Sequence, residues 1–178
     1  MASFERFARR LLHLEGGYVN HPLDKGGPTK YGVILATWKQ HGHDKDGDGD
    51  IDAEDIKLLT EEDAYGIAKK VFWDYFKADQ IESQSVADFT VDWGYNSGRM
   101  TAALKLQKLL KVAVDGRIGP VTLKSINDAN PQKLFESLKQ MRLDFIANLI
   151  ERKPSQEVFR KGWINRINSF HFSDKIIL

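Results

Sequence analysis

Residues Glu15 to Val33 read EGGYVNHPLDKGGPTKYGV. Glycines at 16, 17, 26, 27 and 32, with prolines at 22 and 28, forbid a continuous helix here. They leave room for no more than a small hairpin between Tyr18 and Val33. On the N-terminal side, Phe4, Phe7, Leu11 and Leu14 recur at helical spacing, so an amphipathic helix over Phe4–Leu14 runs into the loop. Gly16-Gly17 is placed to end it, since glycine takes the left-handed backbone that closes helices.

Beyond Val33 the pattern is helical nearly to the end. A short helix is expected from near Tyr31 to Gln40 and another near Ala53–Leu59. Thr60 followed by Asp63 reads as a capped start, with Ala64, Ile67, Val71 and Tyr75 as the buried stripe. Val86 to Tyr95 is apolar on several faces and reads as a central helix, in which Asp92 is a reserve candidate for chemistry but reads better as a buried structural acid. Met100, Ala103, Leu104, Leu106, Leu109 and Leu110 mark a further helix. Asp115-Gly116 is a turn, and Pro120 and Asn130-Pro131 are helix starts. Leu134, Leu138, Met141, Phe145 and Leu149 stripe a long helix, and Phe159, Trp163 and Ile167 stripe the last. Trp73, Trp93 and Trp163 fall on such stripes and are expected in the core. The class is all-α.

A chain of 178 residues makes one domain, or one with two lobes, and an apolar share of 42% can fill a core. The net charge of +1 argues against nucleic acid as a partner but allows a locally basic cleft. There are no cysteines, hence no disulfides. No apolar run is long enough to span a membrane, and the N-terminus interleaves charges with its apolar residues where a secretory signal would have an unbroken apolar core.

Glu15 follows Leu11, Leu12 and Leu14 and precedes two glycines. An apolar setting favours a neutral carboxyl, and the negative end of a helix dipole also disfavours its ionised form. Those conditions suit a general acid that protonates the leaving oxygen of a glycosidic bond, and the glycines let a bulky polymer approach. Taken alone, Glu15 reads better as a solvated acid at a frayed helix end, because perturbed acids are a minority of acids.

The stretch Glu15 to Val33 resembles the opening motif of the glycoside hydrolase family 108 muramidases. The likeness continues through LTEEDAYGIAKKVFWDYF (Leu59 to Phe76) and DFTVDWGYNSGRMTAALKLQKLL (Asp88 to Leu110). VDGRIGPVTL (Val114 to Leu123) resembles the segment opening the family's predicted peptidoglycan-binding half, and GWINR (Gly162 to Arg166) its C-terminal signature. The resemblance implies a lysozyme-like, mainly helical fold of two lobes: residues 1–95 catalytic and 96–178 peptidoglycan-binding, packed as one unit. It implies a monomer that cleaves between N-acetylmuramic acid and N-acetylglucosamine, with Glu15 as catalytic acid and no catalytic cofactor. The alternatives are a lytic transglycosylase, which closes an anhydro ring, and a non-catalytic wall-binding or calcium-binding module. A wall substrate without a standard signal implies synthesis in the cytoplasm and release by a holin or a dedicated secretion system.

Glu15, Asp24 and Thr29 are similar in order to the glutamate, aspartate and threonine of many phage lysozymes, the Asp24-to-Thr29 interval being shorter here. Asp24 and Thr29 are candidates to hold a water against the far face of the sugar; Asp24 reads equally as a loop cap. Tyr18, Tyr31 and Asn96 are candidate sugar contacts, by ring stacking and by an amide reaching an N-acetyl group; packing or turn roles fit them as well.

Asp44 to Asp55, DKDGDGDIDAED, fits an EF-hand calcium loop. Asp44, Asp46 and Asp48 occupy the first three ligand positions, with Gly49 at the sharp turn. Asp50 supplies its carbonyl, Asp52 acts through water, and Asp55 stands where EF-hands usually carry glutamate, as dockerin-type loops allow. Hard oxygen donors suit a structural Ca2+, and so many carboxylates in one loop repel without a cation. His41 and His43 flank the loop and read as solvated.

Overall fold

The computed structural model describes residues 1–14, 17–20 and 27–174. The chain divides into two compact units, one of Glu5–Phe72 and one of Met1–Phe4 with Trp73–Leu178.

In the smaller unit, α1 (Phe4–Leu14) buries Phe7, Ala8 and Leu11, the stripe that its helical spacing dictates. Strands β1 (Thr29–Lys30) and β2 (Val33–Ile34) pair antiparallel, and Val19 bridges to Thr29 through two backbone hydrogen bonds of 2.8 Å. Tyr31 and Gly32 turn the hairpin with φ of 51° and 76°. Two consecutive positive φ values match the twist of a two-residue hairpin and exclude helix. The helix expected from Tyr31 therefore begins four residues later, as α2 (Leu35–His41). Helix α3 (Ala53–Leu58) follows the acidic loop. Helix α4 (Glu61–Ile67) opens on a reciprocal capping box, in which Thr60 and Asp63 each accept the other's amide. The backbone then widens into a π-helical turn, Ala68–Trp73. Tyr75, expected on the buried stripe, stands beyond that turn and is half-buried.

The larger unit is built around α5 (Gln84–Ser97), capped by Ser83 and buried from Gln84 to Tyr95 except at the half-buried Asp88. Gly94 has a packing reason: a Cβ there would lie 2.6 Å from the Phe76 ring. Helices α6 (Arg99–Leu110) and α8 (Pro131–Arg152) pack on α5, with α7 (Pro120–Asp128) between them in sequence. Helix α9 (Arg160–Asn168) packs on α8. Short 3-10 helices occupy Ala78–Gln80 and Pro154–Phe159. Phe89 meets Phe135 and Phe170 edge-on at 5.4 and 5.3 Å. Residues 1–4 close this unit: Ala2 donates its amide to the Ile81 carbonyl at 2.7 Å, and Phe4 sits edge-on to Trp73 at 5.5 Å.

The VDGRIG turn between α6 and α7 is tied down by one side chain. Gln107, 1% exposed, accepts the Asp115 and Gly116 amides at 3.1 and 2.8 Å and donates to the Asp115 carboxylate and Arg117 carbonyl at 2.8 and 2.9 Å. The Tyr75 hydroxyl donates to the Gly116 carbonyl at 2.6 Å. Gly116 has φ of 75°, and a Cβ on it would run into Met100 Sδ.

On α8 the buried residues are Leu134, Phe135, Leu138, Arg142, Ile146 and Ile150. Met141, Phe145 and Leu149, expected on the buried stripe, are only half-buried. Trp73 and Trp93 are in the core as expected, but Trp163 is half-exposed. The register of α8 turns a charged residue inward, because Asp92 of α5 is there to receive it. Asp92, 1% exposed, accepts Arg142 at 2.7 Å and Arg166 at 2.6 Å. Burial alone would raise its carboxyl, but the Arg166 and Arg142 guanidiniums outweigh that and hold it below the usual carboxylate range. Asp92→Asn removes the buried charge that faces Arg142 and Arg166 and should cost about 3–5 kcal/mol. Thermal melts at neutral pH should then show Tm lower by roughly 10 °C. A depressed acid stabilises the fold above its unfolded pKa, about 4, and loses that contribution as pH falls further. The variant should therefore lack the part of the acid destabilisation that the parent shows below about pH 4.

Candidate functional site

Glu15 and Asp24, the sequence candidates for the two catalytic carboxylates, lie outside the described residues. Their neighbours in the smaller unit are placed. Thr29 begins β1 and donates its hydroxyl hydrogen to the Gly27 carbonyl at 3.0 Å, which leaves the oxygen free to accept. Tyr31 occupies the hairpin turn, half-buried, with Lys30 Nζ 5.5 Å from its ring centre. Tyr18 is half-buried beside Lys57, whose Nζ lies 5.7 Å from its ring centre. The β1–β2 pairing and the Val19–Thr29 bridge thus fix Thr29 and Tyr31 relative to the segment carrying Tyr18. Asn96 belongs to the other unit: it is exposed at the end of α5 and donates to the Asp92 carbonyl at 2.8 Å.

The acidic loop is ordered by its own carboxylates. Asp44 accepts the Gly47 and Gly49 amides at 2.6 and 2.9 Å, and these glycines take φ of 81° and 101°. Asp46 accepts from Asp48, and Asp48 from Asp50, at 3.2 and 3.0 Å. Asp55 is fully buried and accepts the Lys45 and Asp52 amides at 2.5 and 2.7 Å, closing the loop across its base. It also forms a capping box with Asp52 at the start of α3. The carboxylates fall into two groups, Asp44, Asp46, Asp48 and Asp50, Asp52, Asp55; within each, one oxygen per residue lies within 4.8 Å of the others. Both groups are hard oxygen donors able to chelate a metal ion.

Electrostatics divides the loop. The Gly49 and Gly47 amides hold Asp44 below the usual carboxylate range, and the Lys45 and Asp52 amides do so for Asp55. The charge of Asp48 pushes Asp50 up. The Asp48 amide draws Asp46 down, but desolvation and the neighbouring carboxylates outweigh it and leave Asp46 raised. Lys45 reaches outside the loop to Asp63 at 2.6 Å. His43 is exposed, and its carbonyl accepts Trp38 Nε1 at 2.9 Å.

Residues 8–98 match the model of glycosyl hydrolase 108, and residues 101–168 match a predicted peptidoglycan domain. The chain belongs to glycosyl hydrolase family 108. It is similar to the solved structure of Brucella abortus SagA, with 28% identity, 98% of each chain covered and a TM-score of 0.81. No curated protein matches. The fold is therefore the mainly helical, lysozyme-like, two-lobed one, in a glycosidase family acting on peptidoglycan. The boundary between the matched segments, near residue 100, differs from that between the compact units, at 72/73. No helix among the described residues is long and apolar enough to cross a membrane.

Arg142 and Arg166 were not legible as the partners of Asp92. The available signal was a charged residue at 142, one helical turn from Leu138 and from Ile146, which implies a buried counter-ion.

Protection factors from hydrogen exchange should show slow amides at Lys45, Gly47, Gly49 and Asp52. Asp55→Ala should abolish protection at Lys45 and Asp52 while leaving Gly47 protected through Asp44. Because Asp44 and Asp55 are depressed, protection in the parent should hold above about pH 4 and fall below it.

Proposed function

We propose that the chain is an N-acetylmuramidase, hydrolysing the bond between N-acetylmuramic acid and N-acetylglucosamine with Glu15 as general acid. The observation that supports this reading is the family match over residues 8–98, which contains the EGGY motif at the end of α1. Glu15 gives its proton to the glycosidic oxygen as that bond to the anomeric carbon breaks. A water held by the Asp24 carboxylate and the Thr29 oxygen adds to the anomeric carbon from the opposite face, its proton passing to Asp24. Tyr18 and Tyr31 stack on sugar rings, and Asn96 bonds an N-acetyl group.

In the same proposal the acidic loop holds one structural Ca2+. Asp44, Asp46 and Asp48 bind through carboxylates, Asp50 through its carbonyl, Asp52 through water, and Asp55 at the last position. The donor chemistry fits: the carboxylate oxygens lie in two close groups, and the raised acids Asp46 and Asp50 are those a cation would relieve.

Digestion of purified peptidoglycan should release fragments with N-acetylmuramic acid at the new reducing end. Products one water lighter would instead identify a transglycosylase. Glu15→Gln should lower turnover by about 10²–10⁴-fold with an unchanged melt; substantial activity in the folded variant would remove Glu15 from the role. Asp24→Asn and Thr29→Ala should lower kcat more than they raise KM, and fresh product should show inverted anomeric configuration by NMR. Calorimetry on chelator-stripped protein should show one Ca2+ site and a raised Tm, both lost in Asp44→Ala combined with Asp48→Ala. No heat and no shift in Tm would leave the loop a solvated turn.

A further inference from the structure

Helices α6 and α8 pack together and leave an open groove of about 460 Å3 beside their contact. Its apolar lining is Met141, Phe145 and Leu149, the stripe that α8 leaves half-buried when it turns Leu138, Arg142 and Ile146 inward. Its charged lining is Lys105 and Lys108 of α6, and Arg152 with Lys153 at the end of α8. Lys108 and Arg152 stand in the last turns of their helices, where the helix dipole favours a cation. Lys105 lies earlier on α6 and is half-buried, with Nζ 6.0 Å from the Phe145 ring centre. None of these four cations forms an ion pair among the described residues. Asp144 is the one acid in this lining.

A sugar ring asks for an apolar or aromatic surface under one face and hydrogen-bonding groups at its edge. Phe145 supplies the surface. Asp144 takes Gln140 Nε2 on Oδ1 at 2.8 Å, and Asn148 donates to the Asp144 carbonyl at 2.7 Å. Asp144 Oδ2 and Asn148 Oδ1 are thereby left as acceptors among the described residues. A volume of about 460 Å3 falls within the range of about 300–1,000 Å3 common to ligand sites, enough for a short stretch of saccharide. The cations ask for more than a neutral sugar, because four of them against one acid favour a chain that carries carboxylates. All of this lining falls in the segment matching the predicted peptidoglycan domain.

We propose that the α6–α8 groove binds peptidoglycan glycan whose lactyl carboxyls are free, with a sugar ring against Phe145 and the carboxylates on the flanking lysines and Arg152. The proposal rests on peptidoglycan being the polymer acted on. A strand that bears its peptides has those lactyl carboxyls tied up as amides. Hydrolysis of the amide by water must come first, and it exposes a carboxylate for each peptide removed. A neutral sugar chain thereby becomes a polyanion. The groove then directs the enzyme to strands already cleared of peptide, while the glycosidic chemistry belongs to the other matched segment. Lysine suits the task, since a point charge on a flexible stem can follow carboxylates spaced along a mobile chain.

The test is retention of the full chain, carrying Glu15→Gln so that the polymer stays uncut, on two polymers. One is glycan stripped of peptide by an amidase, and the other is the same glycan with its carboxyls converted to carboxamides. The stripped glycan should bind about tenfold tighter, and salt at about 0.5 M should remove the difference. Lys108→Gln, Arg152→Gln and Lys153→Gln together, all at exposed positions, should abolish the preference. Lys77→Gln, Lys124→Gln and Lys161→Gln together remove the same charge from exposed positions outside the groove and should keep it. Soluble L-Ala-D-Glu-Lys-D-Ala-D-Ala and polyglutamate, which are acidic but not saccharides, should compete roughly tenfold less well than stripped glycan. Equal binding of the two polymers, binding to neither, a preference kept by the groove variant, equal loss in both triple variants, or equal competition by either acidic peptide would overturn the proposal. A wild-type chain that neither binds nor cleaves intact peptidoglycan would instead overturn the reading on which it rests.

Discussion

Asp92 lies buried inside α5, shielded from bulk solvent, and two other helices of the larger unit bring it their charges. A carboxylate at 1% exposure persists as an anion only if cations come to it, and they come from two other helices, α8 and α9. Each guanidinium therefore ties a separate helix to α5. Arg142 also lies 5.3 Å from the centre of the Phe89 ring, so the polar cluster is continuous with the aromatic packing of Phe89, Phe135 and Phe170. An apolar trio of equal volume would hold these helices with similar stability. With Arg142 turned towards Asp92, Phe145 and Leu149 line a pocket instead of filling the core.

The same accounting of unsatisfied groups explains two loops. The VDGRIG turn has backbone amides with no helical or strand partner, and Gln107 of α6 supplies both an acceptor and a donor to them. The acidic loop uses its own side chains: Asp44 and Asp55 each accept two amides. Those bonds stabilise the ionised form of the two acids that do most to shape the loop, and the neighbouring acids bear the repulsion. A cation would act chiefly on the second set.

The two matched segments differ in charge. The glycosidase-matching segment carries the acidic loop and, around the β1–β2 hairpin, Tyr18, Thr29 and Tyr31. The peptidoglycan-matching segment carries a basic groove lined by Lys105, Lys108, Arg152 and Lys153. A net charge of +1 hides that asymmetry, because the acidic loop offsets the basic groove in the sum.

Features that depend on residues a few positions apart were determined by the sequence alone. The Thr60–Asp63 box, the Asn130 cap before Pro131, the Pro120 start and the extent of α1 are local, and each can be read from side chains that bond their own backbone. The family was also legible, because its motifs recur in order along nearly the whole chain. That Asp92 is a buried acid could be read from its apolar neighbours. Its partners could not, being 50 and 74 residues away. The burial of Arg142, the outward turn of Phe145, Leu149 and Trp163, and the hairpin at Tyr31 in place of a helix all depend on groups distant in sequence or on paired strands. Apolar spacing marks a broad face of a helix but not its rotation. The rotation of α8 was decided by a charge on another helix, which only the tertiary structure brings into reach.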